Sequence, residues 1–240
     1  MKGVILAGGK GTRLYPLTKI TSKQLLPVYN KPMIYFPLYT LINAGIKDIL
    51  IITAPEHSGD FMEILGSGEE FNARFSYTIQ DQAKGIAHGL SLAEDFVDND
   101  DVCLILGDNI FEDDLSSEIQ NFDNGAKIFI KEVTDPERFG VATIDENQNV
   151  VKLEEKPKEP QSNCAQTGLY IFDKEVFSHI KNLQPSARGE YEITDLNNLY
   201  LKERKLKATI VKGIWIDAGT FESLYNASKL IRNNEYLKNL

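Results

Sequence analysis

Lys2-Gly3-Val4-Ile5-Leu6-Ala7-Gly8-Gly9-Lys10-Gly11-Thr12-Arg13-Leu14 opens the chain and constrains everything that follows. Its apolar part, Val4 to Ala7, runs directly into glycines. A short apolar run that ends in this way predicts a buried strand that enters a tight turn. In an α/β protein such a strand exit is a natural place for a ligand, because ligands lie beyond the carboxyl ends of the strands.

The turn after this strand is rich in glycine and positively charged. Gly8, Gly9 and Gly11 allow the backbone to adopt positive φ and to approach a ligand closely. Successive main-chain N–H groups in such a turn form a concave site for an anion. Lys10 and Arg13 add positive charge to a chain that is acidic overall. We interpret the turn as a polyphosphate site, although an ordinary turn with solvated charges would give the same pattern.

Two common nucleotide-binding motifs are absent from this turn. A dinucleotide fingerprint requires a third glycine at the position of Leu14, and no segment satisfies G-x-x-x-x-G-K-[ST]. The missing glycine disfavours a nicotinamide-dependent oxidoreductase.

Strands and helices alternate through the first half of the chain. We predict strands at 48–53, 75–80 and 102–106 and helices at 34–44, 60–65 and 90–96. This alternation favours a parallel or mostly parallel α/β sheet. Gly8–Arg13, Gln80–Gly85 and Gly107–Asn109 then follow strands and would lie at the same edge of the sheet.

The second half is richer in strands. We predict strands at 126–133, 141–144, 150–153, 168–172 and 207–211, and helices at 174–179, at 194–203 and from Thr220 onward. Thr194 is a candidate N-cap of its helix, since Thr is favoured at that position. The spacing of Phe221, Leu224, Ala227 and Ile231 predicts an amphipathic closing helix.

Composition and charge narrow the classes of function. The chain has 240 residues and a net charge of −9, so attraction to nucleic acid or to an anionic membrane is not expected. No apolar run approaches the length of a membrane span, and no signal peptide is recognisable. Cys103 and Cys164 lack metal-ligand spacing. The length fits one large domain or a small pair of domains. Since no linker is recognisable, we predict a single domain over residues 1–240, and the two thiols fit a reducing cytoplasm.

Further motifs follow the glycine turn in order along nearly the whole chain. They are Tyr15–Thr18, Ser22–Val28, Lys31–Ile34, Leu106–Phe111, Asp135–Val141, Leu153–Pro157, Thr167–Tyr170, Pro185–Glu190 and Trp215–Asp217. With the turn, they resemble the signature of the sugar-phosphate nucleotidylyltransferases, and especially of the members that use dTTP and glucose 1-phosphate. The resemblance implies a Rossmann-like three-layer α/β/α fold with a mixed, mostly parallel sheet. It also implies a sugar-binding portion at about residues 126–220.

The activity implied by the resemblance is Mg2+-dependent transfer of dTMP from dTTP to glucose 1-phosphate, at the start of dTDP-rhamnose synthesis. Both substrates are anions, so the protein must neutralise and align them and do little covalent chemistry itself. The family further implies a homo-oligomer, either a dimer or a tetramer. A related enzyme that uses UTP or another sugar 1-phosphate, or a non-catalytic regulatory relative, are the alternatives.

Two acidic residues are candidates for the metal site. Asp108 and Asp217 each follow an apolar run, and carboxylates at two strand ends can converge on one Mg2+. The matching positions of the family hold the metal. Each Asp could instead cap the turn that follows it, a common role for this residue.

The remaining site residues are assigned by the resemblance. Catalytic roles are implied for Arg13, Lys23, Asp108 and Lys156. Nucleotide contacts are implied for Leu6, Gly8, Gly9, Gly11, Thr12, Arg13, Gln80, Gly85 and Asp108, with Gln80 and Gly85 at the base. Contacts to the sugar phosphate are implied for Gly140, Glu155, Lys156 and Tyr170. A solvated surface charge is the alternative reading of the cations, and core packing is the alternative for Tyr170.

The sequence departs from the family pattern in the base loop and at its end. Gln80 to His88 differs from the proline-rich run of similar proteins, and His88 replaces a glutamine. Preference for thymine over uracil is therefore less well supported than the reaction type, and we interpret His88 as a polar loop or helix residue. Longer members continue with further helices that help form a second, regulatory nucleotide site. We expect that regulation to be absent here or to use other residues.

Overall fold

A computed structural model describes residues 1–240. The strands are β1 (Lys2–Ala7), β2 (Pro27–Val28), β3 (Lys31–Pro32), β4 (Asp48–Thr53), β5 (Arg74–Ile79), β6 (Val102–Leu106), β7 (Asn109–Phe111), β8 (Ala126–Glu132), β9 (Gly140–Ile144), β10 (Val150–Glu155), β11 (Cys164–Phe172), β12 (Leu206–Ile210) and β13 (Trp215–Asp217). The α-helices are α1 (Tyr35–Asn43), α2 (Ser58–Leu65), α3 (Ile86–Ser91), α4 (Glu94–Val97), α5 (Ser116–Gln120), α6 (Val176–Lys181), α7 (Ile193–Lys202), α8 (Phe221–Asn233) and α9 (Glu235–Asn239). None of the helices combines the length and the apolar character that a membrane span requires.

A nine-stranded mixed sheet forms the centre of the molecule. Its strand order is β10-β9-β11-β6-β1-β4-β5, and β8 pairs with both β11 and β12. The segment β6-β1-β4-β5 is parallel throughout, with Val4 of β1 opposite Leu50 of β4 and Leu104 of β6. The predicted mixed, mostly parallel sheet is confirmed, and β1 lies near its middle.

Helices cover both faces of this sheet. Successive β1 residues alternate between two apolar cores, since Val4 joins the side with α3, α6 and α7 and Ile5 joins the side with α1, α2 and α5. A strand that is covered on both faces must be apolar at every position, which explains the continuous run of β1. The Rossmann-like three-layer class is thereby confirmed.

The second half adds antiparallel strands to the same sheet. β11 runs antiparallel to β6, β8 and β9. It begins at Cys164, earlier than the predicted start at 168. The polar pair Gln166 and Thr167 concealed this extension, because both side chains are buried where the pattern predicts apolar residues. These buried polar groups contribute to the cleft described below.

Two predictions of helix detail are wrong. The helix predicted at 90–96 is two short helices, α3 and α4, and the first begins after Gly85. Thr194 is not an N-cap: α7 begins at Ile193 and its N-cap is Glu192. Thr194 is 1 % exposed, and its hydroxyl donates to Glu155 Oε2 at 2.6 Å. The Thr194 hydroxyl therefore bonds a residue of β10 and does not cap its own helix.

The closing helix α8 starts as predicted. Thr220 is its N-cap and forms a capping box with Ser223, in which each side chain bonds to the other's backbone N–H. Ala227 and Ile231 are fully buried in a third apolar cluster that also includes Val28. The cap lies three residues after Asp217, so it holds the start of α8 next to one of the predicted metal ligands.

Thr220→Ala should lower the free energy of unfolding by about 1 kcal/mol, because the N-cap hydroxyl satisfies a backbone N–H that has no helical partner. Thr220→Ser keeps the hydroxyl and is the matched control. Urea unfolding of the three proteins measures the difference. Equal stability of the Ala and Ser variants would show that the cap contributes nothing.

Candidate functional site

A cleft of about 620 Å³ opens at the carboxyl ends of the parallel strands. Its wall includes residues that follow β1, β5 and β6, together with residues of β9, β10, β11 and β13. The predicted site residues that line it are Leu6, Gly8, Gly9, Arg13, Lys23, Gln80, Gly85, Asp108, Gly140, Glu155, Lys156, Tyr170 and Asp217. The structure therefore brings together residues from nearly the whole length of the chain.

Gly11 and Thr12 are the predicted site residues that do not line the cleft. Gly11 has φ 60 and its carbonyl accepts a hydrogen bond from Thr18 Oγ1 at 2.9 Å. Thr12 is exposed and begins a short 3-10 turn. In this structure both residues shape the turn, and their contact with a nucleotide stays a prediction.

Strand pairing brings the two acidic residues together. β7 and β13 form an antiparallel pair in which Asp217 lies opposite Asn109, and Ala218 N donates to Asp108 O at 2.9 Å. Asp108 is 7 % exposed, and its Oδ2 forms an ion pair with Lys23 Nζ. Asp217 Oδ1 is buried and has no hydrogen-bond partner. Asp108 is therefore paired with a cation, whereas Asp217 Oδ1 has no partner.

The charges at this pair are unequal for physical reasons. Burial alone would raise the pKa of Asp108, but the Lys23 ammonium lowers it below its ordinary value. Burial and the negative charge of Asp108 raise the pKa of Asp217 to about 6. Lys23 and Arg13 oppose that rise only in part. The lone buried oxygen of Asp217 is thus a place where a further positive charge would be stabilised.

The donor set fits Mg2+. This ion binds through one or two carboxylates and completes its shell with water and substrate phosphates. No third acidic, histidine or cysteine side chain joins Asp108 and Asp217. The pair therefore suits a metal that is shared with a phosphate ligand and not a metal held by the protein alone.

Asn109 supports the acidic pair, a role that sequence reasoning missed. Its Oδ1 accepts hydrogen bonds from Gly168 N at 2.8 Å and Trp215 Nε1 at 2.6 Å. These donors orient the amide so that Nδ2 donates to Asp108 Oδ1 at 3.0 Å. A Cβ on Gly168 would lie 2.6 Å from this amide, so the position requires glycine. The adjacency of Asn109 to Asp108 was the available signal.

A hydrogen-bonded chain holds Glu155 at the other end of the cleft. Thr194 donates to Glu155, Gln166 Nε2 donates to Thr194 Oγ1 at 3.0 Å, and Asn197 Nδ2 donates to Gln166 Oε1 at 2.7 Å. Arg188 Nη2 bonds Glu155 Oε1 at 3.0 Å. Glu155 was predicted as a site residue and the others were not, because buried polar networks leave no short motif.

Two cations stand beside Glu155. Arg188 also contacts Glu192 Oε2 at 2.8 Å, and it lines the cleft. Lys156 is half exposed, and its Nζ lies 3.8 Å from Glu155 Oε1. Its φ of 44 is rare for a residue with a Cβ, and such strained positions cluster at functional sites. Arg188 is offset by the carboxylates around it, so Lys156 is the cation better placed to meet an anionic group here.

Gln80 and Gly85 line the part of the cleft that follows β5. Gln80 is 7 % exposed, and its Nε2 lies 3.1 Å from Nδ1 of His88, which is on α3. Gly85 has φ 99, and a Cβ there would collide with the backbone of Tyr191. His88 is a partly buried helix residue, in agreement with its interpretation from the sequence.

Tyr170 is mainly a core residue. It is 3 % exposed, and its ring lies nearly parallel to Phe172 with centroids 6.2 Å apart. Burial raises the pKa of its phenol far above the ordinary value. The residue also lines the cleft, so core packing is confirmed and its contact with a sugar stays a prediction.

Comparison with known proteins identifies the relatives of this chain. The nucleotidyl transferase family model matches residues 2–234. A glucose-1-phosphate thymidylyltransferase of Neisseria meningitidis is 48 % identical over 246 residues, which cover 100 % of this chain and 85 % of that protein. One from Mycobacterium tuberculosis is 45 % identical over 98 % of this chain and 83 % of its own length.

Two solved structures superpose on nearly the whole chain. A candidate glucose-1-phosphate thymidylyltransferase of Bacillus anthracis, crystallised with sucrose, superposes with a TM-score of 0.92 at 55 % identity, over 97 % of this chain and 96 % of that chain. A UDP-glucose pyrophosphorylase in complex with UDP-glucose superposes with a TM-score of 0.84 at 26 % identity, over 100 % and 99 % of the two chains.

Asp217→Asn should stabilise the protein in a pH-dependent way when no divalent cation is present. The folded state raises the pKa of Asp217 from its ordinary 3.8 to about 6, so folding favours the protonated form. That contribution is complete at low pH and is lost as the pH rises through about 6. The variant mimics the protonated carboxyl, so its advantage over wild type should grow from pH 4 to pH 7. Urea unfolding across this range measures it, and a pH-independent difference would contradict the assigned charge state.

Proposed function

Because the chain belongs to the nucleotidyl transferase family, we propose that it is a glucose-1-phosphate thymidylyltransferase. It is a nucleotidyltransferase, and it passes dTMP from dTTP to glucose 1-phosphate to give dTDP-glucose and pyrophosphate. The observation that carries the proposal is the cleft itself, where a glycine turn, two cations and an acidic pair meet at strand exits. Similarity to thymidylyltransferases over nearly the whole chain supports the choice of substrates.

The glycine turn and two cations hold the triphosphate. Gly8 and Gly9 expose backbone at the end of β1, and Lys23 lies beside Gly9. The Arg13 guanidinium lies beside Gly219, close to Asp217. A planar, permanently charged fork suits the phosphorus centre, where negative charge is crowded during in-line attack. Alignment and charge neutralisation are the main contributions of these residues.

Glucose 1-phosphate occupies the end of the cleft near Glu155. Lys156 meets its phosphate, Glu155 accepts from sugar hydroxyls, and Gly140 allows the sugar to approach the backbone. The chain of Thr194, Gln166 and Asn197 keeps Glu155 in place. The nucleophilic phosphate oxygen needs no strong base, because the sugar phosphate is already an anion.

Mg2+ is the cofactor of this reaction, and Asp108 and Asp217 would hold it. When bound, a divalent ion neutralises phosphate charge and orients the reacting groups. The unpartnered oxygen of Asp217 and the raised pKa of that residue support this assignment. Lys23 keeps Asp108 ionised, so Asp108 has no proton to lose before the pair binds a cation.

The oligomeric state and the location of the protein are further proposals. A homo-oligomer, either dimeric or tetrameric, is implied by the family resemblance, and a cytoplasmic location is supported by the two free thiols. Light scattering coupled to size-exclusion chromatography measures the first.

A substrate panel tests the proposed reaction. Release of pyrophosphate is measured for dTTP, dUTP, UTP, dCTP, dATP and dGTP with glucose 1-phosphate or other sugar 1-phosphates. The highest kcat/KM is expected with dTTP and glucose 1-phosphate in Mg2+. No turnover with any triphosphate would reject the proposal, and a clear preference for UTP would move it to a uridylyl enzyme.

Asp108→Asn should lower kcat/KM by at least about a hundredfold while the fold is retained, because it removes charge from the metal site. Asp95→Asn, an exposed change on α4, is the matched control. A second readout is the thermal shift caused by Mg2+ with dTTP, which should be lost in the Asp108 variant alone. Near-wild-type turnover of that variant would contradict the metal role.

A further inference from the structure

Gln80, which lines the cleft, contacts His88, a residue without a role in the proposed reaction. Gln80 Nε2 lies 3.1 Å from His88 Nδ1. An amide nitrogen can only donate, so His88 Nδ1 must accept, and the imidazole must carry its proton on Nε2. The neutral form is favoured because burial and the nearby charge of Lys84 lower the pKa of His88. In this orientation the Gln80 amide nitrogen and the His88 acceptor are therefore matched.

The surroundings of the amide agree with this orientation. Gln80 Oε1 lies on the Gly8 side, 2.9 Å from the place where a Cβ of Gly8 would be. Nε2 lies on the opposite side, 3.5 Å from the place where a Cβ of Gly89 on α3 would be. The backbone of Gln80 is fixed by its N–H bond to Thr53 O at 2.8 Å. Because the backbone is held, the Gln80 side chain can exchange the positions of Oε1 and Nε2 by rotation of its amide.

We propose that His88 is a positioning residue that selects the base of the nucleotide by holding the Gln80 amide in one orientation. This inference rests on the proposed function, in which Gln80 faces the base. Thymine and uracil offer an N–H donor at N3 and an acceptor at O4. Cytosine offers an acceptor at N3 and a donor at N4. Since the two patterns are opposite, an amide held with Oε1 near Gly8 and Nε2 near α3 can match only one of them.

His88 is itself held in place by two neighbouring segments. Its ring stacks on Tyr191, with ring centroids 6.3 Å apart and an angle of 26° between the planes. Tyr191 is tied to the base loop, because its N donates to Lys84 O at 2.8 Å and its O accepts from Ala87 N at 3.2 Å. The imidazole is thus packed on one side and hydrogen-bonded on another. A test must separate these two contributions.

Two variants of His88 separate hydrogen bonding from packing. His88→Asn places an acceptor oxygen close to the position of Nδ1, and His88→Leu keeps apolar bulk against Tyr191 without an acceptor. The measurement is kcat/KM for dTTP, dUTP and dCTP with glucose 1-phosphate, followed by release of pyrophosphate. Thermal melting confirms that each variant is folded.

His88→Leu should lower kcat/KM for dTTP about tenfold, the effect expected for one hydrogen-bonded orientation that is no longer enforced. It should also reduce the preference for dTTP over dCTP about tenfold, and His88→Asn should restore both. An unchanged preference in the Leu variant would overturn the inference. Equal losses in the two variants would also overturn it, since packing would then be the role of His88. If the wild type turns over no triphosphate, the proposed function itself fails.

Discussion

Two carboxylates that repel each other determine how this cleft is built. The pairing of β7 with β13 places Asp108 and Asp217 side by side in a buried position, where like charges are costly. Lys23 compensates Asp108, whereas burial and the charge of Asp108 raise the pKa of Asp217, whose buried Oδ1 has no partner. Lys23 and Arg13 offset the negative charge at Asp217 only in part. A site that is unsatisfied on its own is well suited to a ligand that brings positive charge with it.

The fold gives this pair its setting. β1 is apolar on both faces, so it lies in the middle of the sheet, and the exit of the central strand becomes the floor of the cleft. Gln80 follows β5 at one edge of the sheet, and Glu155 ends β10 at the other. The two edges of the sheet therefore separate the residue that we propose for the base from the residue that we propose for the sugar. The acidic pair and the glycine turn lie between them, where a phosphate chain would join the two.

The sequence predicted local features well and long-range polar contacts poorly. Strands such as Asp48–Thr53 and Val102–Leu106 were predicted with their observed bounds, because a strand covered on both faces has a continuous apolar run. Asp108 and Asp217 were predicted as a pair because each lies in a motif that matches the family signature. Thr194 was misread as a helix cap, since no local pattern shows that a hydroxyl bonds a carboxylate 39 positions away.

The supporting residues were missed for a similar reason. Asn109 and Arg188 lie within the recognised motifs, but their partners are distant in sequence and become visible only in the folded chain. His88 was seen as a departure from the family pattern, and its contact with Gln80 gives that departure a physical meaning. Buried polar groups carry little signal in a sequence because their burial must be known before their bonds can be inferred.

The most direct test of this account is a crystal structure with dTDP-glucose and Mn2+, the latter chosen for its anomalous scattering. We predict an anomalous peak between Asp108 and Asp217, with the diphosphate against Gly8 and Arg13. A peak elsewhere, or a nucleotide bound away from the glycine turn, would contradict the central claim that the acidic pair and the strand exit form one phosphate-binding centre.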